Sequence, residues 1–301
     1  MTAGPFWERE GRDWPNREAS RFVKAGGLRW HVQQMGTGPL VLLVHGTGAA
    51  THSWRALAPL LARRFTVLAP DLPGHGFTEA PPSHLLSLPW MARSLGALLR
   101  ALGGAGPALA VGHSAGVAIL ARMILDGRIA PRALMGLNAA MLPLRGAEAH
   151  LFPAAARLVV GLPLLPRLFA WRASDRAVME QLIGNTGSTL DPEGKNLYAR
   201  LARNPGHVAG ALGMMARWDL RPLLRDLPRL QMPVTLVVGS NDRMVPPSES
   251  ARVRELVPEA TLVTLPGLGH LAHEERPEEV ARLVEEMARA AGVLPAETVA
   301  S

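Results

Sequence analysis

Cysteine is missing altogether from this 301-residue chain, which excludes a disulfide framework, a thiolate nucleophile and a thiolate metal site. Lysine is nearly missing too: Lys24 and Lys195 are the only two, and arginine supplies the rest of the 32 basic residues. A net charge of +7 raises the question of nucleic acid, yet the arginines are dispersed and never interleave with aromatics in a basic block. Nucleic-acid binding is therefore not expected. The arginines at 217, 221, 225 and 229 recur every four residues, but Pro222 and Pro228 break that periodicity, and a solvated face explains them. No run of about 18 uncharged apolar residues exists to cross a membrane. The nearest approach, Leu151 to Trp171, is interrupted by Arg157, Arg167 and three prolines. Charges of both signs between Glu8 and Asp13 leave no room for the apolar region of a signal peptide, so the expected location is the cytoplasm. The ten histidines show no H-E-x-x-H or clustered ligand spacing, and neither a metal nor a cofactor is expected.

At 48% apolar and 19% charged, the chain has ample material for a buried parallel sheet. Arg21–Lys24 and Leu28–Gln34 read as a hairpin around Ala25-Gly26-Gly27. Leu40–Val44 is then continuously apolar, the pattern of a strand covered on both faces. Strands are further expected at Thr66–Ala69, Ala108–Val111, Ala133–Leu137, Thr235–Val238 and Thr261–Leu265. Helices are expected at Trp54–Arg63, Leu88–Leu102 and from Ala115. This alternation implies an α/β fold with a mostly parallel central sheet and helices on both faces. Ligands of such sheets bind beyond the carboxyl ends of the strands. Between Leu142 and about Asp219 the strand rhythm stops, and several helical segments separated by Gly and Pro follow. The preferred reading is a helical cap, 142–219, inserted into a core of 1–141 and 220–301; the alternative is two extra helices packed on the core.

Gly112-His113-Ser114-Ala115-Gly116 matches G-x-S-x-G between an apolar strand and a helix-prone run, the setting of a nucleophile elbow. Side chains two positions either side of the serine would collide with so sharp a turn, which explains the glycines. A serine hydroxyl needs a base, and His270, in the glycine-rich loop Pro266-Gly-Leu-Gly-His270, follows a late strand. His273 is its local rival but opens the helix that follows. Asp242, directly after Thr235–Val238, is the candidate carboxylate to orient the imidazole, although Asp in such a cluster is also a common turn residue. The order Ser…Asp…His is that of the α/β-hydrolases. The oxyanion donors expected there are the N–H groups of Thr47, after the third strand, and Ala115, after the nucleophile. Residues expected to line the substrate pocket are His45, His113, Phe152, Leu165, Phe169, Trp171 and Met214, with His45 also closing its loop.

Beyond the triad motifs, several segments resemble one branch of the α/β-hydrolase superfamily. These are Trp7–Arg17, His45–Trp54, Leu168–Arg172, Asn204–Val208 and Leu265–Arg276. They are similar to the magnesium chelatase accessory family of purple phototrophic bacteria (BchO type), and the match runs from about Pro5 to about Met287. The resemblance implies a place in bacteriochlorophyll biosynthesis near magnesium insertion, and it carries the triad over to Ser114, Asp242 and His270. Serine at the elbow argues against the dehalogenase and epoxide-hydrolase branches, which use aspartate. The expected function is an esterase-like serine hydrolase acting on an ester or tetrapyrrole-related small molecule. A non-catalytic accessory protein that binds a tetrapyrrole or magnesium chelatase subunits is the alternative from another class. Carbon–carbon or peroxide chemistry on the same triad is a third.

Overall fold

Along the strand Leu40–Val44, Leu42 and Val44 face one hydrophobic cluster while Val41 and Leu43 face another. The continuous apolarity of the strand follows from this two-sided burial. The computed structural model describes residues 7–143, 165–172 and 176–296. Its strands are β1 (Ser20–Ala25), β2 (Leu28–Met35), β3 (Leu40–Val44), β4 (Thr66–Pro70), β5 (Leu109–His113), β6 (Ala133–Leu137), β7 (Val234–Gly239) and β8 (Ala260–Leu265). They form one eight-stranded sheet in the order β1-β2-β4-β3-β5-β6-β7-β8. β2 pairs antiparallel with both β1 and β4, and every other pairing is parallel.

Short helix α1 (Trp7–Glu10) precedes the sheet. α2 (Leu57–Leu61), α3 (Leu88–Leu102) and α4 (Ala115–Leu125) follow in order. α3 begins with a proline in its first turn and stops at Gly103, whose φ of 71° only glycine adopts without strain. Met91, Leu95 and Leu98 of α3 join Ile119 and Leu120 of α4 on one face of the sheet. Leu57 and Leu61 of α2 cover the other face together with Val280, Val284 and Met287. A single helix was expected over Trp54–Arg63. The structure instead has a 3-10 turn at Thr51–Trp54 and then α2. The cause is long-range: Asp71 Oδ1 accepts the Thr51 N–H at 2.7 Å, and the Trp54 ring is fully buried, so the chain turns earlier than local pattern suggests.

Between β6 and β7 the described residues form helices and no strand. The first four are α5 (Leu165–Arg172), α6 (Arg176–Gly184), α7 (Pro192–Ala202) and α8 (Pro205–Ala216). Asp191 and Asn204 cap α7 and α8, each followed by a proline at the first helical position. α9 (Arg221–Asp226), α10 (Pro247–Leu256), α11 (Ala272–Glu275) and α12 (Pro277–Ala290) complete the chain. α8 crosses the loop after β4 with no side chain between them: a Cβ on Gly210 would lie 2.0 Å from the Gly74 carbonyl oxygen. Gly210→Val should therefore push α8 off this loop and destabilise the protein by about 1–3 kcal/mol. A lowered denaturant midpoint with unchanged far-ultraviolet helicity is the expected measurement, and an unchanged midpoint would contradict the contact.

Candidate active site

β5 ends in Ser114, whose φ of 51° and ψ of −120° are strained for a residue with a side chain. Its neighbours hold it there. The Ser114 N–H donates to Leu137 O at 2.9 Å, and its carbonyl accepts from Ala140 N at 3.2 Å and Val117 N at 3.1 Å. A Cβ on Gly116 would sit 2.1 Å from Val44 O, and one on Gly112 would sit 2.7 Å from Val117 N. Both motif glycines are thus fixed by backbone packed against backbone. A Cβ on Gly46 would lie 2.9 Å from Ser114 Cβ, so the turn after β3 passes directly over the serine. The N–H of Thr47 in that turn is not engaged by any hydrogen bond among the described residues. Ala115, as the first residue of α4, likewise has no helical acceptor for its N–H.

Asp242 and His270 sit on the loops after β7 and β8. His270 Nδ1 lies 2.9 Å from Asp242 Oδ2, with both residues buried. The carboxylate also accepts from Met244 N at 2.8 Å, Val245 N at 2.9 Å and Asn138 Nδ2 at 2.7 Å. The His270 ring lies 4.8 Å from that of His113, the residue before Ser114. Pairing through Nδ1 leaves Nε2 as the nitrogen able to take up a proton; it carries no hydrogen bond among the described residues, and such contacts often close only around a substrate. His273 is elsewhere: its Nε2 lies 2.9 Å from Ser53 Oγ, it makes no contact with Asp242, and burial pushes its pKa down to about 3.

The expected pocket residues divide. Met214 is fully buried and its sulfur accepts from the Thr47 hydroxyl at 3.6 Å, so α8 reaches the turn over the serine. His45 is fully buried: Nε2 accepts from Leu72 N at 2.9 Å and Nδ1 donates to Gly46 O at 2.8 Å, so the ring clamps its loop. His113 is buried, donating from Nε2 to the His270 carbonyl at 2.9 Å. Trp171 is 68% exposed because α5 turns Ala170 inward and carries its neighbour round to solvent. Phe152 lies outside the described residues, as do the side chains of Leu165 and Phe169.

Several residues at the site were not anticipated. Asn138, at the end of β6, has a φ of 47°, a conformation asparagine tolerates, and its amide bridges Asp242 and the Gly269 carbonyl. A polar residue directly after an apolar strand was its one sequence signal. The segment after α6 staples the loops of Asp242 and His270. Thr186 O accepts from His270 N and Arg243 N, Gly187 O accepts from Asn241 Nδ2 at 2.7 Å, and Ser188 Oγ accepts from Leu271 N at 2.8 Å. His207 of α8 accepts from Gly76 N at 3.1 Å and donates to Gly48 O at 3.1 Å. It lay within a segment already noted for its resemblance, Asn204–Val208.

A family model described as the alpha/beta hydrolase fold matches residues 39–277, from the start of the parallel sheet to beyond His270. The chain belongs to the α/β-hydrolase family. This hydrolase is 40% identical over 264 residues to the magnesium-chelatase 30 kDa subunit of Rhodobacter capsulatus, covering 87% of this chain and 92% of that protein. It is 27% identical to the 2-hydroxy-6-oxo-2,4-heptadienoate hydrolase of Pseudomonas putida, covering 89% and 96% of the two chains. A solved α/β-hydrolase fold protein from Burkholderia ambifaria superposes with a TM-score of 0.76 at 26% identity, covering 89% of this hydrolase and 97% of that chain.

Around the site this hydrolase buries histidines in the neutral form. Burial pushes the His207 pKa down to about 4 and that of His273 down to about 3, below the usual 6.5. It also holds His45, His52, His75 and His113 below their ordinary value. The unfolded chain therefore binds more protons than the folded one between pH 6.5 and about 4, and stability falls as pH drops through that window. From pH 6.5 to 5 the loss should be roughly 2 kcal/mol for each of His207 and His273. Urea midpoints measured at pH 7 and pH 5 should show a clear decrease at the lower pH, and equal midpoints would contradict neutral burial.

Proposed function

We propose that this α/β-hydrolase is a serine-nucleophile, esterase-like enzyme working through an acyl-enzyme. The observation that carries the reading is a strained Ser114 at the head of α4, next to a His270–Asp242 pair joined at 2.9 Å. Ser114 Oγ attacks the carbonyl carbon of an ester while His270 Nε2 takes its proton. Asp242 fixes the tautomer and stabilises the resulting imidazolium. The tetrahedral oxyanion accepts from the N–H groups of Thr47 and Ala115, each donor worth about 3–4 kcal/mol in the transition state. As the C–O bond breaks, His270 gives its proton to the leaving alcohol. Water then attacks the acyl-enzyme by the same steps and releases the acid and free Ser114.

Residues 142–219 form the cap of this enzyme in our reading, supported by the contacts of Met214 and His207 with the Thr47–Gly48 turn. The relative named as a magnesium-chelatase subunit supports a role in bacteriochlorophyll biosynthesis near the chelatase step, with a tetrapyrrole-related ester as substrate. The same name also favours a second reading, a non-catalytic protein that binds a tetrapyrrole or chelatase subunits.

Fluorophosphonate labelling separates the two readings. The wild type should label, Ser114→Ala should not, and hydrolysis of model esters should fall by several orders of magnitude in that variant. Equal labelling of both proteins, or none of either, would remove the nucleophile. Asn138→Gly keeps the left-handed backbone and deletes only the amide that braces Asp242. It should slow labelling about ten-fold, the usual worth of one hydrogen bond to a charged group. A rate equal to wild type would show that the brace does not act on the triad.

A further inference from the structure

Trp171 is 68% exposed and Leu168 51%, an unusual pair to leave in water on one short helix. Three residues apart on α5, they project from the same side. Ala170 between them is buried at 3%, and α5 packs on α8, so the opposite side of the helix is the one already covered. Arg172, next to the tryptophan, is exposed as well. Within α5 itself the only charged residues are Arg167 and Arg172, and no acidic residue occurs between Glu148 and Asp175. The whole chain adds a net charge of +7.

Tryptophan and leucine on a helix whose only charged residues are arginines suit a surface that is apolar inside and anionic outside. A lipid bilayer with acidic headgroups has that character: indole rings settle at the headgroup boundary, and guanidinium groups pair with phosphates. We propose that α5 is an interfacial docking element that seats this protein on an anionic bilayer. Leu168 and Trp171 enter the boundary region, and Arg172 contacts lipid phosphates. The consequence for catalysis rests on the esterase reading: a docked enzyme would draw an apolar ester from the lipid phase. The docking itself does not rest on that reading.

Co-sedimentation with vesicles tests it. Wild-type protein should pellet with phosphatidylglycerol-containing vesicles at least about ten-fold better than with pure phosphatidylcholine, and less well at high salt. The double variant Leu168→Ala/Trp171→Ala should lose at least about five-fold in partitioning. Arg93→Glu, a charge reversal at an exposed position on α3, should stay within about two-fold of wild type. Three results would overturn the proposal: no binding to anionic vesicles, equal binding by the double variant, or an equal loss in Arg93→Glu, which would indicate diffuse basic charge. A double variant that changes the oligomeric state without altering vesicle binding would assign the apolar side to a second copy of the chain and overturn it equally. Circular dichroism of each variant confirms folding. Fluorophosphonate labelling reports the esterase reading independently, so either proposal can fail alone.

Discussion

A carboxylate sealed from water must be given donors, and the demand made by Asp242 organises the residues around it. It is 6% exposed and accepts from two backbone N–H groups of its own turn, from Asn138 Nδ2 and from the His270 ring. Those donors come from the carboxyl ends of three adjacent parallel strands, β6, β7 and β8. If one strand slipped in register, a buried charge would lose a partner, a loss far larger than the net worth of an ordinary hydrogen bond. The parallel register and the aim of the imidazole are therefore set by a single requirement.

A second such requirement lies around Asp71. Burial opposes its ionisation, but His31 at 2.7 Å, with the Phe77 N–H, holds its carboxyl well below the usual range. Its other oxygen accepts the Thr51 N–H. The loop after β4 and the 3-10 turn after β3 are tied together by this group, and His45 ties them again through Leu72. The turn that presents Thr47 to the serine is thus braced from beneath by a buried charge and from above by Met214 and His207 of α8.

What could be read from the chain in advance was whatever is local. The elbow was legible because strand, glycines, serine and helix lie within about a dozen residues, and backbone sterics alone dictate that pattern. The inner strands β3 to β7 were legible because burial on both faces leaves an apolar run, whereas β1 and β2 were legible as a hairpin around Gly26-Gly27. Asn138 and the Thr186–Ser188 segment were not, because their role is to meet loops some 50 to 100 residues away in sequence. Trp171 was misplaced for a related reason. An aromatic residue in an apolar stretch suggests an interior, and only the packing of α5 decides which of its sides faces inward. His45 and His113 were expected to line the pocket, and their ring nitrogens donate to backbone carbonyls.

The carbonyl of Thr186 is shared by the N–H groups of Arg243 and His270, while Gly269 has so little clearance that a Cβ there would meet Ser188 N at 2.3 Å. The segment after α6 and the two loops that carry Asp242 and His270 therefore form one interlocked joint. The helices between β6 and β7 cannot be exchanged without those loops. A chimera that kept the sheet but replaced the segment around Thr186 would strip the histidine loop of its backbone acceptor. Diversification here would have to proceed by exchanging the insertion and both loops together, or by changing residues on α5 that the joint does not touch.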